Sequence, residues 1–272
     1  MPKTQVDKDL ITKMLDVEEL PRIERSGNAT LIVVDTPYLD EDHQYITIPL
    51  GIIITDNNHV ITVSPKRTTI LNAFKQDKVK DFRTAKKTRF LIQILLHTAA
   101  AYLRVLKQVS RDIDKKEEEL KKSTRNKDLV DMLELEKTLV YFMTSLKSND
   151  VVLGKLSKGN VVPLYENDAE LLEDAIIEYK QAMEMTTIYK GILLSIKDTY
   201  STVVSNNLNI AMKFLAAATI VLSIPTMISS FLGMNIDLGK ITTMDNAFPL
   251  VIVISLVTSL IVALFLKKKD MF

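Results

Sequence analysis

The chain has no cysteine among its 272 residues, which excludes disulfide frameworks and thiolate metal sites. It has three histidines, His43, His59 and His97, and none stands at the spacing of a helical metal-binding pair, which argues against a histidine metal cluster. Basic residues number 35 and acidic residues 34. A formal charge of +1 lacks the concentrated basic excess of a nucleic-acid binder. Glycines are limited to seven and prolines to eight, and no Ser/Gly-rich linker occurs. A continuous, mostly helical chain is expected. The opening MPKTQVDKDL is charged and has no apolar signal-peptide core. This predicts that the N-terminal part stays in the cytoplasm. No nucleotide-binding glycine loop or nucleophile motif stands out, so no enzymatic activity is expected.

Hydropathy is distributed unevenly. Up to about Lys213 the chain is densely charged; beyond it lie two apolar runs. The first continues without a formal charge from Phe214 to Ile236, and the second covers Ala247 to Leu266. Each meets the requirement of roughly 20 apolar residues for crossing a bilayer. Lys213 precedes the first run and Lys267, Lys268 and Lys269 follow the second, while the intervening loop carries Lys240 against Asp237 and Asp245. The positive-inside rule then places both termini in the cytoplasm of a multi-pass inner-membrane protein.

The charged part begins with a short amphipathic helix, Asp7 to Leu15, followed by an irregular segment with Pro21 from Val17 to Arg25. β-Branched enrichment predicts strands at Ala29–Tyr38, Tyr45–Pro49, Gly51–Thr55 and Val60–Val63, with Asp56-Asn57-Asn58 as a turn. These form a small antiparallel or mixed sheet, with a helix at Thr68–Lys75. From about Ala85, apolar residues recur at three and four through Leu91, Ile94, Leu95, Ala99, Tyr102, Leu106 and Val109. A second such series runs from Leu129 to Leu146. The two make an antiparallel helical hairpin with a solvated, charge-rich tip. Asn167 or Asp168 is the expected N-cap of the next helix.

No proline follows Asp168 until Pro225. A seam of Ala175, Tyr179, Ala182, Thr186, Tyr189, Leu193, Ile196, Tyr200, Val203, Asn207 and Ile210 steps alternately by four and three, a heptad pattern. Taken to Leu232, this helix would be roughly 95–100 Å long at ~1.5 Å per residue. It is expected to pack on the hairpin and also to meet copies of itself as an oligomeric stalk. The predicted segments are therefore 1–83 (α/β domain), 84–166 (hairpin), 167–232 (stalk and first span), 233–246 (external loop), 247–266 (second span) and 267–272 (basic tail).

Two spans cannot enclose a water-filled path, so conduction would need several subunits. The first span is the better lining, and the aliphatic second span suits lipid. Thr219, Ser223, Thr226 and Ser230 share one helical face. Followed toward the N-terminus, that face carries Leu215 or Ala216, Met212, Asn209, Ser205 and Asp198. Hydroxyl and amide oxygens can hydrogen-bond a hydrated cation, although such hydroxyls also bond the preceding turn. Met212 and Leu215 would form an apolar constriction, and Asp198 a carboxylate ring. Gly233 is a candidate helix stop, and Asn235 adds an amide oxygen beside the last free carbonyls. Neutral acceptors suit magnesium, which sheds water reluctantly.

Gly233-Met234-Asn235, closing the first of two C-terminal spans before a short loop, resembles the signature of the CorA family of magnesium and divalent-cation transporters. Ser205 to Leu215, S-N-x-x-N-x-x-M-K-x-L, is a second specific match, and Leu20-Pro21-Arg22-Ile23-Glu24 is similar to a family stretch after the early helix. The layout agrees over the whole chain. The resemblance implies a funnel-shaped homopentamer: an α/β cytoplasmic domain, a long-helix stalk and two C-terminal transmembrane helices. It implies passive Mg2+ uptake through a filter of Gly233, Met234 and Asn235, with Asn209, Met212, Leu215 and Thr226 lining the pore. It further implies an acidic ring at Asp198, and closure by cytoplasmic Mg2+ between subunits at a site containing Asp174. Cobalt, nickel or zinc transport, and a non-conducting membrane-anchored scaffold, stay open as alternatives. The sequence departs from the family in three places. Leu232 stands where an aromatic residue usually precedes the motif, Ser223 replaces a pore methionine, and Lys13 falls where the partner of Asp174 is an aspartate, with Asp16 nearby.

Overall fold

The structure is a computed structural model and describes residues 8–57, 59–122, 126–234, 246–269 and 271. The chain divides into two compact units, Met1–Lys197 and Asp198–Phe272. The first opens with helix α1 (Lys8–Lys13) and strands β1 (Arg22–Ser26), β2 (Ala29–Leu39), β3 (Tyr45–Thr55) and β4 (Val60–Val63). Helices α2 (Thr69–Lys75), α3 (Lys87–Lys122) and α4 (Asn126–Leu156) follow. Helix α5 (Glu166–Leu232) runs from the first unit into the second, and α6 (Ala247–Lys268) completes the chain.

The sheet is antiparallel throughout, in the order β1-β2-β3-β4. Leu31, Val33 and Ile53 pack with Leu10 of α1 and Met14 just beyond it in one buried cluster. Ile32, Val34, Leu50 and Ile52 point to the other side of the pleat and are fully buried as well, so both faces of the sheet's centre are covered. Each such side chain contributes about 1.5–3 kcal/mol of burial. Gly51 admits α1, because a Cβ there would lie 2.5 Å from Met14 Sδ.

Three local expectations change. The segment after Pro21 is strand β1, not irregular chain. Its sequence, RIERS, has a single apolar residue, so alternation is invisible, and pairing of Arg22–Ser26 with Ala29–Val33 creates the strand. Tyr45–Pro49 and Gly51–Thr55 are one continuous strand of 11 residues. Pro49 is tolerated because β4 pairs only with Gly51–Ile54, so the missing N–H removes no ladder bond, and Ser64 Oγ donates to the Pro49 carbonyl at 3.0 Å. Finally, α5 starts at Glu166, before the predicted cap. Asp168 is instead buried, 3.8 Å from Arg89 of α3. The Thr68–Lys75 helix does form: Thr68 Oγ1 accepts from the Leu71 N–H at 3.2 Å as its N-cap.

α3 and α4 pair as a hairpin through Tyr102 and Phe142, whose rings meet edge-on at 5.1 Å, and both helices pack on β2. The Tyr179 ring of α5 lies 6.5 Å from that of Tyr102. Ala175, Tyr179, Ala182, Thr186 and Leu193 are all fully buried. That stretch of the heptad seam is therefore filled by the chain's own first unit and is not available to another copy. The seam emerges further on, where Val203 is 45% and Ile210 56% exposed.

Among the described residues, three helices are long and apolar enough to cross a membrane: α3, α5 and α6. Sequence reading predicted two. More than half of the apolar window of α3 is buried, 56%, against 6% for α5, so the apolar face of α3 belongs to the core of the first unit.

Candidate ion path and carboxylate sites

The side chains of the candidate path lie along the second-unit part of α5. Asn209, Thr219, Ser223 and Thr226 are exposed, and Met212 and Leu215 are each 58% exposed. Among the described residues from 201 to 234, Ala217 alone is buried, away from this polar face. The single chain thus leaves the whole candidate face uncovered. Residues at steps of three and four share that face, so one turn after another presents Asn209, Met212, Leu215 or Ala216, Thr219 and Ser223 in the same direction.

The hydroxyl protons on this face are engaged within the helix. Thr219 Oγ1 donates to the Leu215 carbonyl at 2.8 Å, Ser223 Oγ to Ile220 at 2.8 Å and Thr226 Oγ1 to Leu222 at 3.3 Å. A hydroxyl has one proton and two lone pairs. With the proton committed to the preceding turn, each oxygen presents only acceptor character outward. That polarity matches the water hydrogens around a cation and offers nothing to an anion.

α5 ends at Leu232. The Gly233 N–H donates to the Ser229 carbonyl at 2.9 Å, and the Met234 N–H to Phe231 at 3.3 Å. Gly233 is not among the residues with positive φ, so it ends the helix without the left-handed geometry of a glycine cap. A Cβ on Gly233 would sit 3.3 Å from the Ser229 oxygen, a tight contact with the terminal carbonyls. Asn235, the third filter residue, lies outside the described residues.

In α6 the buried positions are Ser255, Ser259 and Leu266, while Leu256, Leu260, Ile261 and Leu264 are 59–62% exposed. Ala217 and the two serines are small, the composition that permits close helix approach in membranes. The remaining aliphatic surface suits lipid.

The two predicted acidic positions are both exposed on α5. They are 24 positions apart, about 36 Å along the helix, so one chain cannot bring them to one ion. Among the described residues, no group of three His, Cys, Asp or Glu side chains is arranged to hold a metal within the chain. Sequence reading missed Glu178, one turn beyond Asp174. Its Oε2 is buried without a hydrogen-bond partner. Burial first, and then the nearby Asp174 carboxylate, push its pKa up, while His97 pulls it down. The i,i+4 spacing of two acids was the available signal. Lys13 lies 3.8 Å from Glu24, and Asp16 Oδ1 accepts from the Glu18 N–H at 3.0 Å, so both N-terminal candidates have local partners.

An α/β unit, a helix that continues from it into an apolar span with an acceptor-lined open face, and a second apolar helix define a membrane transport protein. The chain belongs to the family of CorA-like Mg2+ transporter proteins, which it matches over residues 2–268. It is 28% identical over 250 residues to the cobalt/magnesium transport protein CorA of Methanocaldococcus jannaschii, covering 91% of this chain and 78% of that one. To the cobalt/magnesium transport protein CorA of Thermotoga maritima it is 22% identical over 266 residues, covering 96% and 75%. The complete structure of the Methanocaldococcus jannaschii CorA magnesium transporter superposes with a TM-score of 0.86 at 25% identity, covering 96% of this chain and 83% of that one.

Proposed function

We propose that this chain is a homopentameric channel for passive Mg2+ uptake across the cytoplasmic membrane, with Co2+ and Ni2+ as further permeant ions. The observation that carries this reading is the uncovered polar face of α5, whose hydroxyls offer only acceptors outward. Copies arranged around an axis cover that face and enclose a path that one chain cannot. Gly233, Met234 and Asn235 form its outer filter, Asn209 to Thr226 its wall, and Met212 and Leu215 its apolar constriction. Both termini and the basic tail face the cytoplasm. An inside-negative potential drives entry, at ~2.3 kcal/mol per charge per 100 mV.

In this reading Asp174 acts between subunits, where cytoplasmic Mg2+ favours the closed state, and Asp198 forms a carboxylate ring at the inner end of the path. Glu178 joins Asp174, because it holds a buried acceptor without a partner. Lys13 and its neighbour Glu24 replace a simple carboxylate partner there, which weakens a single-ion bridge at that end.

Magnesium flux into proteoliposomes tests the reading. Wild type should conduct, with cobalt competing, and Asn235→Ala should lose uptake while its oligomer stays intact. Unimpaired uptake by the variant contradicts the filter assignment. Absence of flux in the wild type favours a membrane-anchored scaffold.

A further inference from the structure

A second polar cluster lies inside the first unit, at a place the transport reading does not use. β1 ends its pairing at Arg22–Val33, two residues short of Asp35 on β2. Asn149 of α4 occupies the vacated edge. Its Oδ1 accepts from the Asp35 N–H at 2.8 Å, and its Nδ2 donates to the Asp35 carbonyl at 2.8 Å. A side-chain amide thus completes the ladder where a strand is missing. Tyr102 of α3 donates its hydroxyl to the same carbonyl at 3.2 Å.

The Asp35 side chain is held on the same helix. Ser145 Oγ lies 2.6 Å from Asp35 Oδ2 and 2.9 Å from Thr47 Oγ1 of β3. A separation of 2.6 Å suits either a hydroxyl donating to a carboxylate or a carboxylic acid donating to a hydroxyl. The three oxygens form a chain with two consistent proton arrangements. When Asp35 is ionised, Ser145 donates to the carboxylate and Thr47 donates to Ser145. When Asp35 is protonated, it donates to Ser145, whose own proton turns to Thr47. Either arrangement satisfies the chain, but only the second removes a charge from the interior. We infer that Asp35, Ser145 and Thr47 form a proton-operated latch that fastens α4 to the sheet more tightly in acid.

The titration agrees with this geometry. Burial raises the Asp35 carboxyl from 3.8 to about 6, against the opposing pull of the Ser145 hydrogen bond. The other titratable groups facing it are the phenols of Tyr102 on α3 and Tyr179 on α5, both pushed further up by burial and therefore neutral in this range. The sign follows from linkage. Between 3.8 and about 6 the folded chain holds a proton that the unfolded chain has lost. The latch therefore loosens as pH rises through that window, and the effect levels off above it.

The test uses the purified full chain in detergent. Every tyrosine except Tyr200 precedes Asp198, so tyrosine fluorescence in urea follows mainly the first unit. In wild type relative to Asp35→Asn, the folding equilibrium should weaken roughly twentyfold between pH 4.5 and 7. Parallel pH profiles for the two proteins would overturn the latch. Infrared difference spectra of wild type supply a readout that needs no variant: the C=O stretch of a neutral buried carboxyl should grow in as pH falls through about 6. In Ser145→Ala, which loses the donor to the carboxylate, that transition should move to higher pH. A transition near the ordinary aspartate value in wild type, or one unmoved in Ser145→Ala, would overturn the assignment.

Discussion

The two halves of α5 present different faces to different surroundings. From Glu166 to Lys197 the heptad seam has Ala175, Tyr179, Ala182, Thr186 and Leu193 fully buried within the first unit and Tyr189 and Ile196 half-buried. Tyr200 of that seam is still buried, whereas a different face, from Asn209 to Thr226, is uncovered and carries an amide, hydroxyls and the bulky apolar Met212 and Leu215. Periodicity fixes which residues share a face but not what covers that face. The difference lies in the chemistry of the two faces. Small and aromatic groups are buried along the first, while hydroxyl and amide acceptors alternate with Met212 and Leu215 along the second. One face is covered within the chain; in the proposed reading the other meets neighbouring copies.

The largest expected effect separates the halves directly. Tyr179→Ala should lower the unfolding free energy of the first unit by ~3–5 kcal/mol, because it empties a fully buried aromatic site. Met212→Ala, on an exposed stretch of the same helix, should change that quantity by less than ~0.5 kcal/mol while altering ion flux. Urea unfolding of both variants checks the contrast, and equal losses would erase the distinction. Next in size, Asn149→Ala should cost about 2 kcal/mol. It leaves the buried Asp35 N–H with no partner and the Asp35 carbonyl with Tyr102 alone. Smallest is Lys197→Ala at the junction of the halves. The Lys197–Glu136 pair closes to 2.6 Å but is about a quarter exposed on each side. A loss under ~1 kcal/mol, shrinking with added salt, is expected by the same measurement.

Much of the architecture was legible because long-range patterns are robust. The helical hairpin, the long helix, both apolar runs and three strand regions follow from period and run length. What was hidden depends on partners. β1 exists because β2 is beside it. Pro49 fits within a strand because β4 stops short. Asn149 reads as an ordinary helical amide until the edge of β2 shows the ladder it completes. The seam was visible, but which of its residues are buried was not, since that depends on neighbours such as Tyr102 beside Tyr179. At the candidate sites, the polar face of the span was readable from spacing. Glu178 was overlooked because its meaning comes from burial beside Asp174. The engagement of the hydroxyl protons with the preceding turn was an alternative at the sequence level and is what the structure contains.

Cysteine substitution gives the most direct test of the open half, because the chain has no cysteine of its own. Single variants at Asn209, Met212, Thr219 and Ala217, reconstituted and treated with a charged thiol reagent, should divide by face. The account predicts that modification at Asn209, Met212 and Thr219 blocks magnesium flux and that Ala217, buried away from that polar face, is spared. Block at Ala217, with undiminished flux after modification along the polar face, would contradict it.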